Sequence, residues 1–255
     1  MQYKFAREQL DYSDFASGQV LYSLPGHPAF PVRLASEIFQ RCIEHRRTIY
    51  EDSTPCTLYD PCCGAAYHLC VLAFLHGEHI REVIASDINE KAVDLAERNL
   101  GLLRADGLNQ RIRELSKMFA EYGRESHRQA LQSAAALREK LTVRMESRVL
   151  TTRVFRASAL DRGEISSRIN RDSVDIVFTD VPHGLHSRWH DPGRELPAAP
   201  VSSMLDALLE VLSASSIVAI ASDKQQKAVH QGYQRLEQFQ VGKRRVVILR
   251  PIERP

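Results

Sequence analysis

The sequence predicts an α/β fold, doubly wound about a mostly parallel sheet. Three observations carry that reading. From Thr57 onward short apolar runs alternate with amphipathic segments, the rhythm of right-handed βαβ units. The stretch TLYDPCCGAAYHLCVLAFL, Thr57 to Leu75, runs an apolar strand into an acid, a glycine-bearing bend and an apolar helix. A second apolar strand, EVIAS, ends in Asp87, twenty-three residues after Gly64.

At 255 residues the chain has room for one catalytic domain with additions. A 44% apolar and 26% charged composition is that of a folded domain. The net charge of +2 excludes a histone-like polyanion binder and leaves room for local basic faces. Two stretches qualify, one between Leu103 and Arg148 and one from Lys224 to Arg250, each either a phosphate-facing or an ordinary solvated surface. Met1 to Asp14 lacks the apolar stretch of a signal peptide, and no run of 18 apolar residues occurs. The expectation is a soluble cytoplasmic protein. Five cysteines without C-x-x-C pairs and scattered histidines predict neither disulfides nor a metal site.

In chain order, the loop from Ser23 to Pro31 holds three prolines and Gly26, so the residues before it fold over the domain. Leu34, Ala35, Ile38, Phe39 and Cys42 then share one face of a helix. Residues 1–56 are read as an N-terminal helical extension and 57–255 as the catalytic domain. Strands are predicted at Thr57 to Tyr59, Glu82 to Ser86, Val149 to Phe155, Val174 to Thr179, Ser216 to Ala221 and Arg244 to Arg250. Helices are predicted over Glu90 to Leu103 and Val201 to Leu212. The interval of about 104–148 is too long for a crossover loop and reads as a helical insertion. One of its helices is marked by Leu108, Ile112, Leu115 and Phe119, the other by Ala130, Leu131, Ala134, Leu137 and Leu141.

In an open α/β sheet ligands lie outside the carboxyl ends of the strands, and Gly64 lets backbone approach one closely. Asp87 stands where a carboxylate accepts hydrogen bonds from both ribose hydroxyls of a nucleoside, or else where it caps the following helix. The bend lacks G-x-G-x-x-G and with it the pyrophosphate cradle, which disfavours a nicotinamide oxidoreductase. The strand SVDIVFTDVPHG closes on Asp180, Val181, Pro182 and His183. Methyl transfer to a base nitrogen needs acceptors that hold the N–H and take its proton, offered by the Asp180 carboxylate and the backbone carbonyl near Pro182, with His183 as a stacking surface. A plain strand-to-loop turn accounts for the same residues otherwise. Ser158 and Ala159 fall where an adenine contact is expected. Trp189, in HSRWHDPG, is a base platform or a loop anchor.

With these residues the chain resembles the class I S-adenosylmethionine-dependent methyltransferases. More narrowly it is similar to the AviRa family, avilamycin-resistance enzymes acting on a guanosine of large-subunit ribosomal RNA. The similarity runs through SGQVLYSLPGHPAFPVRLASEIFQR, YDPCCG, VIASDI and FTDVPHG, with the later Trp189. It implies a seven-stranded sheet with an antiparallel last strand and S-adenosylmethionine as the sole cofactor, near Asp60, Pro61, Cys62, Gly64, Asp87, Ile88, Ser158 and Ala159. The target base is placed near Asp180 to His183, and resistance to an orthosomycin antibiotic is the implied role. The family continues the bend as G-x-G-Y, whereas this chain has Ala66, and it commonly has Asp at position 158 and Tyr at position 183. A left-handed backbone at position 66 costs an alanine about 1–2 kcal/mol, and its methyl is expected to crowd the cofactor. The alternative to an enzyme is a non-catalytic RNA-binding module retaining the fold.

Overall fold

The computed structural model describes residues 3–24, 28–145, 150–182, 189–190 and 195–252. Its elements follow the predicted alternation. Helix α1 (Val32–Tyr50) precedes β1 (Cys56–Asp60), α2 (Tyr67–Leu75), β2 (Ile80–Asp87) and α3 (Glu90–Gly101). The insertion is two helices, α4 (Ala105–Tyr122) and α5 (Glu125–Met145), turned back on each other at Gly123, whose φ is 60°. Then come β3 (Thr151–Arg156), α6 (Arg162–Ser166), β4 (Val174–Asp180), α7 (Pro200–Leu208), β5 (Leu212–Ser222), β6 (Tyr233–Val241) and β7 (Arg244–Pro251).

The strands form one sheet in the order β3-β2-β1-β4-β5-β7-β6. The first five are mutually parallel, and β7 enters antiparallel between β5 and β6. Alternate residues of each strand feed two cores, because successive side chains leave opposite faces. Leu58, Phe178, Ala219 and Ile248 meet α1 and α2 on one side, while Tyr59, Val177, Val218 and Leu249 meet α6 and α7 on the other. With both faces covered, β1 is buried at every position, which is why it reads as an unbroken apolar run. The predicted insertion helices bury most of their apolar faces: Leu108, Leu115, Ala130, Ala134, Leu137 and Leu141 join the first core and Ile112 and Leu131 pack against it, whereas Phe119 is exposed.

Two elements differ from the sequence reading. Helix α7 stops at Leu208, and Leu212, assigned to that helix, already belongs to β5. The run LLEVL satisfies a helical and a buried-strand pattern equally, and the backbone bends at Leu209 to Val211, where Val211 N–H meets Leu208 O. Strand β6 was not placed by the sequence pattern, although the family resemblance implies a seventh strand. Its sequence YQRLEQFQV is mostly polar because it is the sheet's edge and buries only Tyr233 fully. Val149, the predicted start of β3, lies outside the described residues.

The N-terminal segment is tied down by Glu37. This fully buried carboxylate on α1 accepts the backbone N–H groups of Lys4, Phe5 and Ala6 at 2.7–2.8 Å and the Arg41 Nε–H at 2.8 Å.

Candidate active site

Strand order reverses between β1 and β4, so the loops at their carboxyl ends diverge and leave a crevice. A cavity of about 690 Å³ opens there, within the span of about 300–1,000 Å³ usual for small-molecule sites.

Its floor is the bend after β1. Asp60 is fully buried, does not line the cavity, and accepts the Cys62 N–H at 2.9 Å. Burial pushes its carboxyl up to about 8, with Asp87 and Asp180 adding to the rise and hydrogen bonds from Thr179 and Cys62 opposing it. His68 on α2 places Nε2 3.2 Å from Asp60 Oδ2 and 3.3 Å from Phe178 O. Burial drives that imidazole down to about 4. At neutral pH the pair therefore carries little charge beneath the site. The thiols of Cys62 and Cys63 are raised by burial, with the Asp87 carboxylate adding to the rise, so they stay protonated.

Pro61, Cys62, Gly64, Asp87 and Ile88 all stand on the wall. Gly64 has φ 52°, and a Cβ built on it meets nothing nearer than Leu24 Cδ1 at 4.0 Å, so the cradle is one that a side chain would fill. Its N–H reaches Asp87 Oδ2 at 2.9 Å, while Asp87 Oδ1 takes the Asn89 N–H at 2.9 Å. The cap of α3 is Asn89, which accepts the Lys91 N–H, so Asp87 is not spent as a helix cap. Ala66 has φ 53° and ψ 30°, the left-handed backbone the sequence comparison anticipated. The anticipated crowding does not follow: Ala66 is fully buried in the apolar core and absent from the cavity wall. The strain stays in the fold and out of the pocket.

Ser158 and Ala159 line the side beyond β3. Ser158 N–H is held by Glu164 Oε2 at 2.7 Å. Across from them Asp180, Pro182 and Trp189 face the opening. Pro182 O receives Gln226 Nε2–H at 2.8 Å, and Trp189 Nε1–H donates to Gln226 Oε1 at 2.7 Å. His183 lies outside the described residues.

Several contributors were invisible in the sequence. The roof comes from the N-terminal segment, where Tyr22 is sandwiched by the guanidinium groups of Arg98 and Arg111, 3.8 and 4.2 Å from its ring. Fully buried Asn99 of α3 accepts Tyr22 N–H at 2.8 Å and donates to Tyr22 O at 2.9 Å and Ala65 O at 2.7 Å, fastening roof to floor. Arg111, in a basic stretch read as either phosphate-facing or solvated, is instead buried and donates to Val20 O and Gln19 O. Arg244, at the start of β7, enters the wall over the Phe30 ring and lies 3.5 Å from Asp180 Oδ2.

A sheet of this order, with an acid-lined cavity over a glycine bend at its reversal point, defines a class I methyltransferase fold. The chain belongs to the AviRa family: a family model described as rRNA methyltransferase AviRa matches residues 1–244. A 23S rRNA (guanine(2535)-N(1))-methyltransferase of Streptomyces viridochromogenes is 38% identical over 248 residues, covering 97% of this chain and 95% of that protein. The solved structure of rRNA methyltransferase AviRa from the same organism superposes with a TM-score of 0.85 at 37% identity, covering 98% of this chain and 96% of that one. TrmN from Thermus thermophilus, at 16% identity and a TM-score of 0.50 over 88% of this chain and 49% of that one, shares the fold. No helix among the described residues is long and apolar enough to cross a membrane.

Proposed function

We propose that this protein methylates a guanine ring nitrogen of large-subunit ribosomal RNA with S-adenosylmethionine as donor. The observation that carries the reading is the pairing of Gly64, whose missing side chain leaves the cradle open, with Asp87 and Asp180 on the same cavity wall. Bound there, the donor supplies an electrophilic methyl group. Asp87 grips the ribose, Pro61, Cys62 and Ile88 bound the adjoining space, and Ser158 and Ala159 meet the adenine. Asp60 acts from below by shaping the bend.

A base inside RNA must leave its stack to enter such a cavity. Trp189 offers it a stacking surface. A guanine ring N–H gives up its proton as the methyl arrives, and Asp180 is the acceptor at the end of β4. Arg244, 3.5 Å from Asp180 Oδ2, stands where a cation offsets negative charge spreading to the base's carbonyl oxygen. Lys243, also on the wall, and the exposed cations of α4 and α5 meet phosphates, which orient RNA without reading its sequence. Methylation at the site of an orthosomycin antibiotic then confers resistance.

Mass spectrometry of 23S rRNA from cells with and without the protein tests this: one added methyl on a guanosine is expected, and identical spectra refute it. Calorimetry separates the enzyme from a non-catalytic RNA-binding module, since saturable S-adenosylmethionine binding belongs to the enzyme alone.

A further inference from the structure

Trp189 Nε1–H can only donate a hydrogen bond, and Pro182 O can only accept one. Gln226, in the loop after β5, serves both, its Oε1 2.7 Å from the indole nitrogen and its Nε2 2.8 Å from the proline carbonyl. Those two partners fix the orientation of the amide, because the reversed amide would set donor against donor and acceptor against acceptor. The loop itself is pinned by Asp223 Oδ1, which accepts the N–H groups of Gln225 and Gln226 at 3.0 and 3.1 Å. Gln226 is not on the cavity wall, whereas Trp189 and Pro182 are.

We infer that Gln226 is a positioning residue: it locks the Trp189 ring against the end of β4, so that a base stacked on that ring meets Asp180 at one fixed height. The inference rests on the rRNA reading above. Two physical consequences give it content. With its single N–H spent inside the protein, the indole presents to substrate a face and no donor, which suits stacking on a base of any identity. The choice of guanine then falls to Asp180 and its neighbours. The Pro182 carbonyl, held from behind, keeps a second lone pair for the site, since a carbonyl oxygen accepts two hydrogen bonds.

Trp189 is the only tryptophan in the chain, so intrinsic fluorescence reports this clamp directly. Four proteins are compared with wild type: Gln226→Ala, Gln226→Glu, Trp189→Phe and the double variant Gln226→Ala/Trp189→Phe. Gln226→Glu keeps the indole acceptor but sets a carboxylate against the Pro182 carbonyl. In the free protein both Gln226 variants should red-shift the emission and increase acrylamide quenching. S-adenosylmethionine affinity by calorimetry should stay at the wild-type value, which also shows that the fold is intact. With an rRNA fragment as substrate, Gln226→Ala and Trp189→Phe should each lower kcat/KM about fivefold, the equivalent of one neutral hydrogen bond. The double variant should lose no more than about tenfold, because both changes break one linkage. Unshifted emission in Gln226→Ala, or additive losses of about twenty-fivefold in the double variant, overturns the inference. A wild-type protein that binds the donor yet methylates no rRNA defeats the rRNA reading instead, and is told apart because the emission test needs no RNA.

Discussion

Gly64 and Ala66 have nearly the same backbone, φ 52° and 53°, but a Cβ at each meets different surroundings. At Gly64 it projects into the cavity; at Ala66 it is already there, buried in the core. Gly64→Ala places an L-residue in the left-handed region at a cost of about 1–2 kcal/mol, of which about 0.4–1 kcal/mol returns through the stiffer unfolded chain. The variant should lose about 1 kcal/mol of stability. Its larger effect is on the donor site, where an intruding methyl should weaken S-adenosylmethionine binding about tenfold or more. Ala66→Gly relieves the same strain, forfeits the same chain entropy and removes one buried methyl worth about 0.8 kcal/mol, so its net change should lie within about 0.5 kcal/mol. Its donor affinity should stay within about twofold of wild type. Urea unfolding gives the first pair of numbers and calorimetry the second. If Ala66→Gly tightens donor binding tenfold, the methyl does reach the cofactor and the assignment of the two positions is wrong.

Asp180→Ala should cut methyl transfer by about 10²–10⁴-fold, the usual scale of a general base, with donor affinity nearly unchanged; loss of both together contradicts the division between Asp180 and Asp87. Asp60 has its folded pKa raised to about 8 by burial, so the stability it confers is complete below its unfolded value near 4 and drains away as pH climbs from there to 8. Against Asp60→Asn, wild type should therefore lose ground over that window by up to about 1.4 kcal/mol per pH unit, and parallel stability curves from unfolding at several pH values would show the carboxyl to be solvated. Asn99→Ala removes three hydrogen bonds, one buried and two part-buried, and should cost about 2–3 kcal/mol, with faster proteolysis between residues 16 and 24; a loss under about 1 kcal/mol means the roof is held by the Tyr22 sandwich alone.

Legibility in the sequence followed burial. Strands β1, β2 and β4 were plain because both their faces are covered, and their terminal residues Asp87 and Asp180 stand together at the cavity as their strand-end positions implied. The edge strand β6 escaped because one face meets water, and polar alternation resembles a loop. Arg111 looked like its neighbours in a basic run, yet its partners Gln19 and Val20 lie some ninety residues earlier. Asn99 and Gln226 were unreadable for the same reason. An amide in a helix or loop announces nothing until the chain brings distant partners to it.

The distance in sequence between Tyr22 and its holders constrains the order of assembly during synthesis. Arg98, Asn99 and Arg111 leave the ribosome long after the segment they fasten. Until α4 has emerged, the cavity lacks part of the clamp on Tyr22, one of its wall residues. The walls from β3, β4 and β7 come later still, so the cavity is complete only well after the emerging helix has caught a tyrosine made about a third of a chain earlier.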